Sequence, residues 1–224
     1  GDNPTGTLYA VYHYLETICH CGLFEDGERI PRLDLLPVPK STIVEVPRFK
    51  NRMYRLWPAL ALKKNQCMYW NKADWEREFD WFAKKKLNML WGWMCREDLP
   101  YGAVFDIAFP EIGPPPVETP YSSGHPMGWS WPLDYRRQMA RSVMTYARSL
   151  GIRHIYFVEY GYLPGRFKDA HPELTYVQPY GPEEEKAFVF LDPRDPRSGE
   201  VYKRFVETVN SVYGTDHLYQ FEPY

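Results

Sequence analysis

Residues 70–94 read WNKADWEREFDWFAKKKLNMLWGWM, and a change of period inside this stretch decides the fold. Trp75, Phe79 and Phe82 recur at i, i+4 and i+7, the spacing of one helix face. Asn71 stands ahead of them as a helix cap, and the helix is predicted to run to about Lys86. Glu76, Arg77 and Glu78 then fall on its solvated side. From Leu87 to Met94 the residues turn nearly all apolar, as in a strand covered on both faces. A helix followed at once by a doubly covered strand is one step of a parallel α/β architecture.

The same step repeats on either side. Cys67–Trp70 is a short apolar run ahead of the helix. Residues 96–132 are a long proline-rich loop, and loops of that length in compact domains are usually functional or disordered. Asp134 is the expected cap of the next helix, whose buried face is Met139, Val143, Tyr146, Ala147 and Leu150. Gly151 suits the position just past its end. His154–Val158 (HIYFV) reads as a strand. Asp195 and Pro196 are the expected N-cap and first residue of a further helix carrying Val201, Phe205, Val209 and Val212 and ending at Gly214. His217–Phe221 is a final short strand. These make about four βα units with no fixed-period repeat, which implies a parallel sheet. A closed (β/α)₈ TIM barrel needs about 250 residues, so residues 53–224 hold about half of one. The competing doubly wound sheet lacks a glycine-rich phosphate loop after any strand.

The beginning of the chain reads differently. Residues 5–18 carry Leu8, Val11, Tyr12, Leu15 and Ile18 on one helical face, with Thr5 as the expected cap. Pro31, Pro37, Pro39 and Pro47 then punctuate a loop-rich stretch around a short extended run from Thr42 to Val46. The expected organisation is therefore two-part. Residues 1–52 are the end of a small α/β domain and its linker. Residues 53–224 are a partial TIM barrel. Gly1 opens without an initiator methionine or a signal peptide, so the chain is expected to start inside a domain.

Composition narrows the function. The 224 residues carry a formal net charge of −2, with no basic surplus to displace counterions from a nucleic acid. No apolar run approaches the roughly 18 residues that a membrane span needs. Nucleic acid and membrane are thus not expected partners. Cys19 and Cys21 are too close for a comfortable mutual disulfide, and with Cys67 and Cys95 they form no zinc-binding spacing. No metal and no cofactor is expected. The chain holds 8 Trp, 18 Tyr and 21 Pro. Flat aromatic faces suit sugar rings, although aromatic-rich α/β proteins are common without that use.

Several motifs now combine. WEREFDW at 75–81 lies between Trp70 and the Leu87-Asn88 strand entry. Gly161-x-x-Pro164, Leu191-Asp192-Pro193-x-Asp195-Pro196 and YGTDHLY at 213–219 come after it in order. Upstream, the helix from Gly6 to Tyr14-Leu15 leads to Cys21-Gly22. Together they resemble the α-N-acetylglucosaminidases of glycoside hydrolase family 89, over nearly the whole chain. The resemblance implies a small domain ahead of a catalytic TIM barrel and exo-acting hydrolysis of terminal sugars from glycans. It implies a retaining mechanism with two glutamates, one protonating the leaving oxygen and one attacking the anomeric carbon. The proton donor of the family follows the strand after the GTDH segment. Matching Tyr219 to the family tyrosine puts Glu222 on an acidic position and the donor two residues past Tyr224. No catalytic carboxylate is then assigned within the chain, and Glu222 is the fallback. The implied substrate-binding set is Trp93, Glu97, His125, Trp129, Glu159 and Glu222. Ala59-Leu60-Ala61 stands where the family carries Asn-x-Cys, which bears on sugar preference. A carbohydrate is the expected partner, and the expected location is secreted, periplasmic or lysosomal. An α-glucuronidase-like enzyme and a non-catalytic sugar-binding homologue are the alternatives.

Overall fold

The computed structural model describes residues 3–54, 70–92, 104–114, 132–158, 162–177 and 188–221. Helix α1 (Pro4–His13) is capped by Asn3, whose side chain accepts from the Gly6 amide at 2.8 Å, with Pro4 in the first turn. The cap is thus two residues earlier than the expected Thr5, because Pro4 has no N–H to satisfy and Asn3 reaches past it. The helix continues as a π-helical turn over Tyr14–Ile18. Strands β1 (Gly22–Phe24) and β2 (Gly27–Arg29) then form an antiparallel hairpin. Cys19, Cys21 and Leu23 make a small core of their own, with Tyr12, Tyr14 and Leu15 against it. Both cysteines are free thiols. The Thr42–Val46 run is exposed and joins no strand.

Strands β3 (Met53–Tyr54), β4 (Met89–Gly92), β5 (Arg153–Val158) and β9 (Tyr219–Phe221) form one parallel sheet in the order β3-β4-β5-β9. Helices α2 (Lys72–Lys84), α4 (Leu133–Ser149) and α6 (Ser198–Tyr213) connect them and pack on one face. The chain is therefore α/β, and the sheet with its helices is part of a TIM barrel. The expected α2 face is buried as a unit: Trp75, Phe79 and Phe82 are at most 1% exposed. They meet Met139, Val143 and Ala147 of α4 and Phe205, Val209 and Tyr213 of α6 in one core.

Helix boundaries follow from capping chemistry. The Asn71 side chain accepts from the amides of Ala73 and Asp74, and Asp74 accepts from the Asn71 amide, a reciprocal box. At the other end the Leu87 amide reaches Phe82 O (2.8 Å) and the Lys86 amide reaches Ala83 O (3.0 Å). That Schellman closure needs a left-handed residue, and here Lys86 supplies it, with φ 60°. Helix α4 closes the same way on Gly151 (φ 76°). Its start differs from expectation: α4 begins at Leu133 after Pro132, leaving Asp134 exposed in the first turn. Helix α6 begins at Ser198 rather than after Asp195. Asp195 is otherwise engaged, accepting from the amides of Arg197 (2.9 Å) and Thr175 (2.8 Å) and from the Arg197 guanidinium. A carboxylate only 1% exposed is better served by those donors than by a helix end.

Two excursions leave the carboxyl ends of the parallel strands. After β4, within the span expected to be loop, lie the short helix α3 (Phe105–Ala108) and a 3₁₀ turn at Pro110–Ile112. After β5 comes a small antiparallel sheet, β6 (Tyr162–Pro164), β8 (Phe188–Leu191) and β7 (Tyr176–Val177), with α5 (Gly165–Ala170). The first excursion packs on the second and on α6. Phe109 packs edge-on to Phe167 at 4.9 Å and Phe105 stacks on Phe205 at 4.5 Å. His171 sits between Glu111 (3.0 Å) and Glu173 (3.3 Å).

The N-terminal part is fastened to the barrel by charge. Lys84, Lys85 and Lys86, at the end of α2, pair respectively with Glu28, Glu16 and Glu45. Lys86 also lies 3.1 Å from His13 Nδ1. A Cβ on Gly151 would stand 2.5 Å from Thr5 Oγ1, so α1 and the end of α4 approach closely.

Candidate functional site

In parallel α/β barrels the chemistry sits on the loops beyond the carboxyl ends of the strands. Strands β4, β5 and β9 end at Gly92, Val158 and Phe221. Trp93, Glu159 and Glu222 are the next residues in sequence. These three, together with Glu97, His125 and Trp129, lie outside the described residues, as does Ala59-Leu60-Ala61.

The register fixes what flanks them. Trp91 pairs with Ile155 and Gln220 with Phe157, while Leu90 pairs with His154 and Tyr156 with Tyr219. Paired residues of a parallel sheet share a face. His154 and Tyr156 face the helices, where the His154 ring meets Phe79 and the Tyr156 hydroxyl lies 3.8 Å from the Met144 sulfur. Met89, Trp91, Ile155 and Gln220 therefore face the barrel interior. There the Trp91 indole N–H donates to Gln220 Oε1 across β5. Sequence reasoning did not select this pair, because a lone glutamine in a short apolar strand carries no pattern. Only the register shows the two residues together.

The YGTDHLY segment turns out to be scaffolding at the opposite end of the strands. Asp216 accepts from the His154 amide (2.9 Å) and from Arg148 Nε (3.1 Å). Arg148 also donates to Tyr213 O at 2.7 Å, and the Tyr156 hydroxyl donates to Gly214 O. The Thr215 and Tyr219 hydroxyls are 2.9 Å apart, with the Asn210 amide at 2.8 Å from Tyr219. Burial alone would raise the Asp216 pKa. The contacts with His154 and the Arg148 charge outweigh it and bring the pKa down to about 2. His154 is fully buried, and burial lowers its pKa against the pull of Asp216. Its Nδ1 is 3.7 Å from Asp216, too long for a hydrogen bond, and neither ring nitrogen has a hydrogen-bond partner among the described residues.

The Leu87-Asn88 entry is likewise structural. The Asn88 side chain accepts from the Arg52 amide (2.8 Å) and donates to Lys50 O (2.9 Å), tying the start of β4 to the start of β3. WEREFDW departs from the expected pattern at one residue. Glu78 is 6% exposed rather than solvated, and its Oε1 has no partner among the described residues. Burial, assisted by the Glu25 carboxylate, pushes its pKa up to about 7. Period alone could not show this, because β1 packs against α2 and the hairpin turn brings the Glu25 carboxylate near Glu78. Among the described residues no three His, Cys, Asp or Glu side chains could hold a metal ion. No helix among the described residues is long and apolar enough to cross a membrane.

A parallel strand–helix barrel with its loops grown into packed excursions at the carboxyl end is a common enzyme architecture. Comparison with known proteins finds consistent likenesses. Residues 120–224 match the family model of the alpha-N-acetylglucosaminidase tim-barrel domain. Human alpha-N-acetylglucosaminidase is 23% identical, over 98% of this chain and 31% of its own length. The family 89 glycoside hydrolase from Clostridium perfringens, solved with PUGNAc, matches the whole chain over 27% of its own, with 17% identity and a TM-score of 0.75. A variant of that enzyme with two glutamates replaced by glutamine, in complex with its substrate GlcNAc-alpha-1,4-galactose, gives a TM-score of 0.77 at 17% identity and the same coverage. The chain is thus similar to the alpha-N-acetylglucosaminidases of glycoside hydrolase family 89.

Proposed function

We propose that the polypeptide containing this chain is an alpha-N-acetylglucosaminidase-like glycoside hydrolase acting on terminal sugars of glycans. The observation carrying this reading is the parallel sheet whose YGTDHLY segment delivers β9 in register beside β5. In the resembled family the proton donor follows that strand. A retaining mechanism needs one carboxylic acid to protonate the departing oxygen and one carboxylate to attack the anomeric carbon, about 5 Å apart. The solved variant with two glutamates replaced, bound to its disaccharide substrate, supports that pairing in the relative.

Strand parity supports the substrate-binding set. Side chains alternate along a strand with period two. Trp93 has the parity of Trp91, Glu159 that of Ile155, and Glu222 that of Gln220. In this proposal Trp93 stacks on the sugar, while Glu159 and Glu222 accept hydrogen bonds from its hydroxyls. Glu97, His125 and Trp129 complete the pocket from the loop after β4. Residues 1–52 are proposed as the end of a small domain with its linker, and 53–224 as the first half of the catalytic barrel. A secreted, periplasmic or lysosomal setting is part of the same proposal.

Incubation of the full polypeptide with aryl glycosides tests the reading. Release of phenol from the aryl α-N-acetylglucosaminide, with retention at the anomeric carbon, is expected. No turnover of any glycoside in the panel would refute it.

A further inference from the structure

The β1–β2 hairpin meets α2 with a carboxylate on each side of the contact. β1 packs on the helix, and the turn after it, Glu25-Asp26, is exposed. On the helix side Glu78 is only 6% exposed, and its Oε1 has no hydrogen-bond partner among the described residues. The other buried residues of α2 are Trp75, Phe79, Phe82 and Ala83, all apolar. A buried carboxyl without a donor is tolerated as the acid and costly as the anion.

The surrounding charges do not offset that cost. The cations of α2 are engaged elsewhere: Lys72 pairs with Glu76, Arg77 with Asp74 and Lys84 with Glu28 of β2. Arg29 stands opposite Gly22, at the end of the hairpin away from its turn. From that turn Glu25 acts on Glu78, its charge adding to burial in raising the pKa. From β3 comes the Tyr54 hydroxyl, whose own pKa is raised by burial and by both carboxylates. α1 contributes Tyr12, which lies near Lys84, Asp80 and Glu28, and α4 contributes Tyr146, whose hydroxyl donates to Asp80. We propose that the β1–β2 hairpin is a proton-operated latch, seated on α2 while Glu78 is protonated and lifting when Glu78 and Glu25 are both charged. Lifting returns the Glu78 carboxylate to water. A two-stranded hairpin is marginal by itself, so lifting also loosens the ladder between Gly22–Phe24 and Gly27–Arg29. The seat is firmest below pH 4.5 and weakens as pH rises through about 7. The latch is independent of the proposed hydrolysis, because it involves the hairpin and α2 alone.

Hydrogen–deuterium exchange of the full polypeptide at about pH 5.5 and about pH 8.5 is the experiment, read as protection factors so that the intrinsic pH dependence of exchange cancels. Protection across amides 22–29 is expected to fall at least about tenfold at the higher pH, while Arg153–Val158 of β5 keeps its protection. Glu78→Gln is expected to abolish the fall. Glu25→Gln, in the exposed turn, is expected to shrink it, and so decides the matter even if Glu78→Gln misfolds. Equal hairpin protection at both pH values, a fall shared by β5, or a fall undiminished in Glu25→Gln would each overturn the proposal.

Discussion

At the residue scale two carboxylates pull stability in opposite directions with pH. Glu78 has its folded pKa raised, from 4.5 to about 7, so its protonated form suits the folded state. Its contribution is complete below pH 4.5 and is lost as pH rises through 7. Glu78→Gln is expected to be neutral near pH 4 and to stabilise by about 2 kcal/mol at pH 8. Urea titrations of the full polypeptide at the two pH values measure this, and equal shifts at both would refute it. Asp216 has its folded pKa lowered from 3.8 to about 2, so its contribution is present above pH 3.8 and fades as pH falls through 2. Asp216→Asn leaves Arg148 without its charge partner and is expected to cost about 3 kcal/mol at pH 7. Chemical denaturation reads that loss, and an unchanged midpoint would show the ion pair to be idle. Neither effect was legible in the sequence. Both depend on what another segment places beside the carboxylate.

At the element scale, the helices and strands built on long apolar periods were legible because period and capping chemistry agree. Trp75, Phe79 and Phe82 announced α2, and Gly151 announced the end of α4. Asp134 and Asp195 misled because an acidic residue before a helix also suits other partners. Asp195 is drawn away by Thr175 and Arg197, which lie outside any local window. The three lysines at the end of α2 were equally opaque, since a run of like charge normally reads as a solvated surface. Each instead takes a glutamate from the N-terminal part. Exposed pairs contribute little singly, so changing all three lysines to glutamine is expected to cost about 1–2 kcal/mol. The telling readout is proteolysis of residues 3–52, faster in the variant and in high salt. Identical digestion rates would show that charge does not hold that part.

At the scale of the whole molecule, the half-barrel was legible from unit counting, because about 250 residues are needed to close one. The proposed pocket residues come from family motifs alone and lie outside the described residues, since sugar-contacting side chains in loops follow no period. Strands β3 and β9 stand at the edges of the described sheet. The 224-residue chain alone is expected to self-associate through those edges and to hydrolyse nothing. Sedimentation and an aryl-glycoside assay check this, and a monodisperse, cooperatively melting monomer would contradict it. The lysine fastening also has a consequence for biosynthesis. Glu16, Glu28 and Glu45 leave the ribosome before Lys84–Lys86 exist. At about 5–20 residues per second, Glu16 waits about 3–14 s for its lysine. For that interval residues 3–52 lack the lysines that fasten them to the sheet and helices, so they settle only after α2 is made.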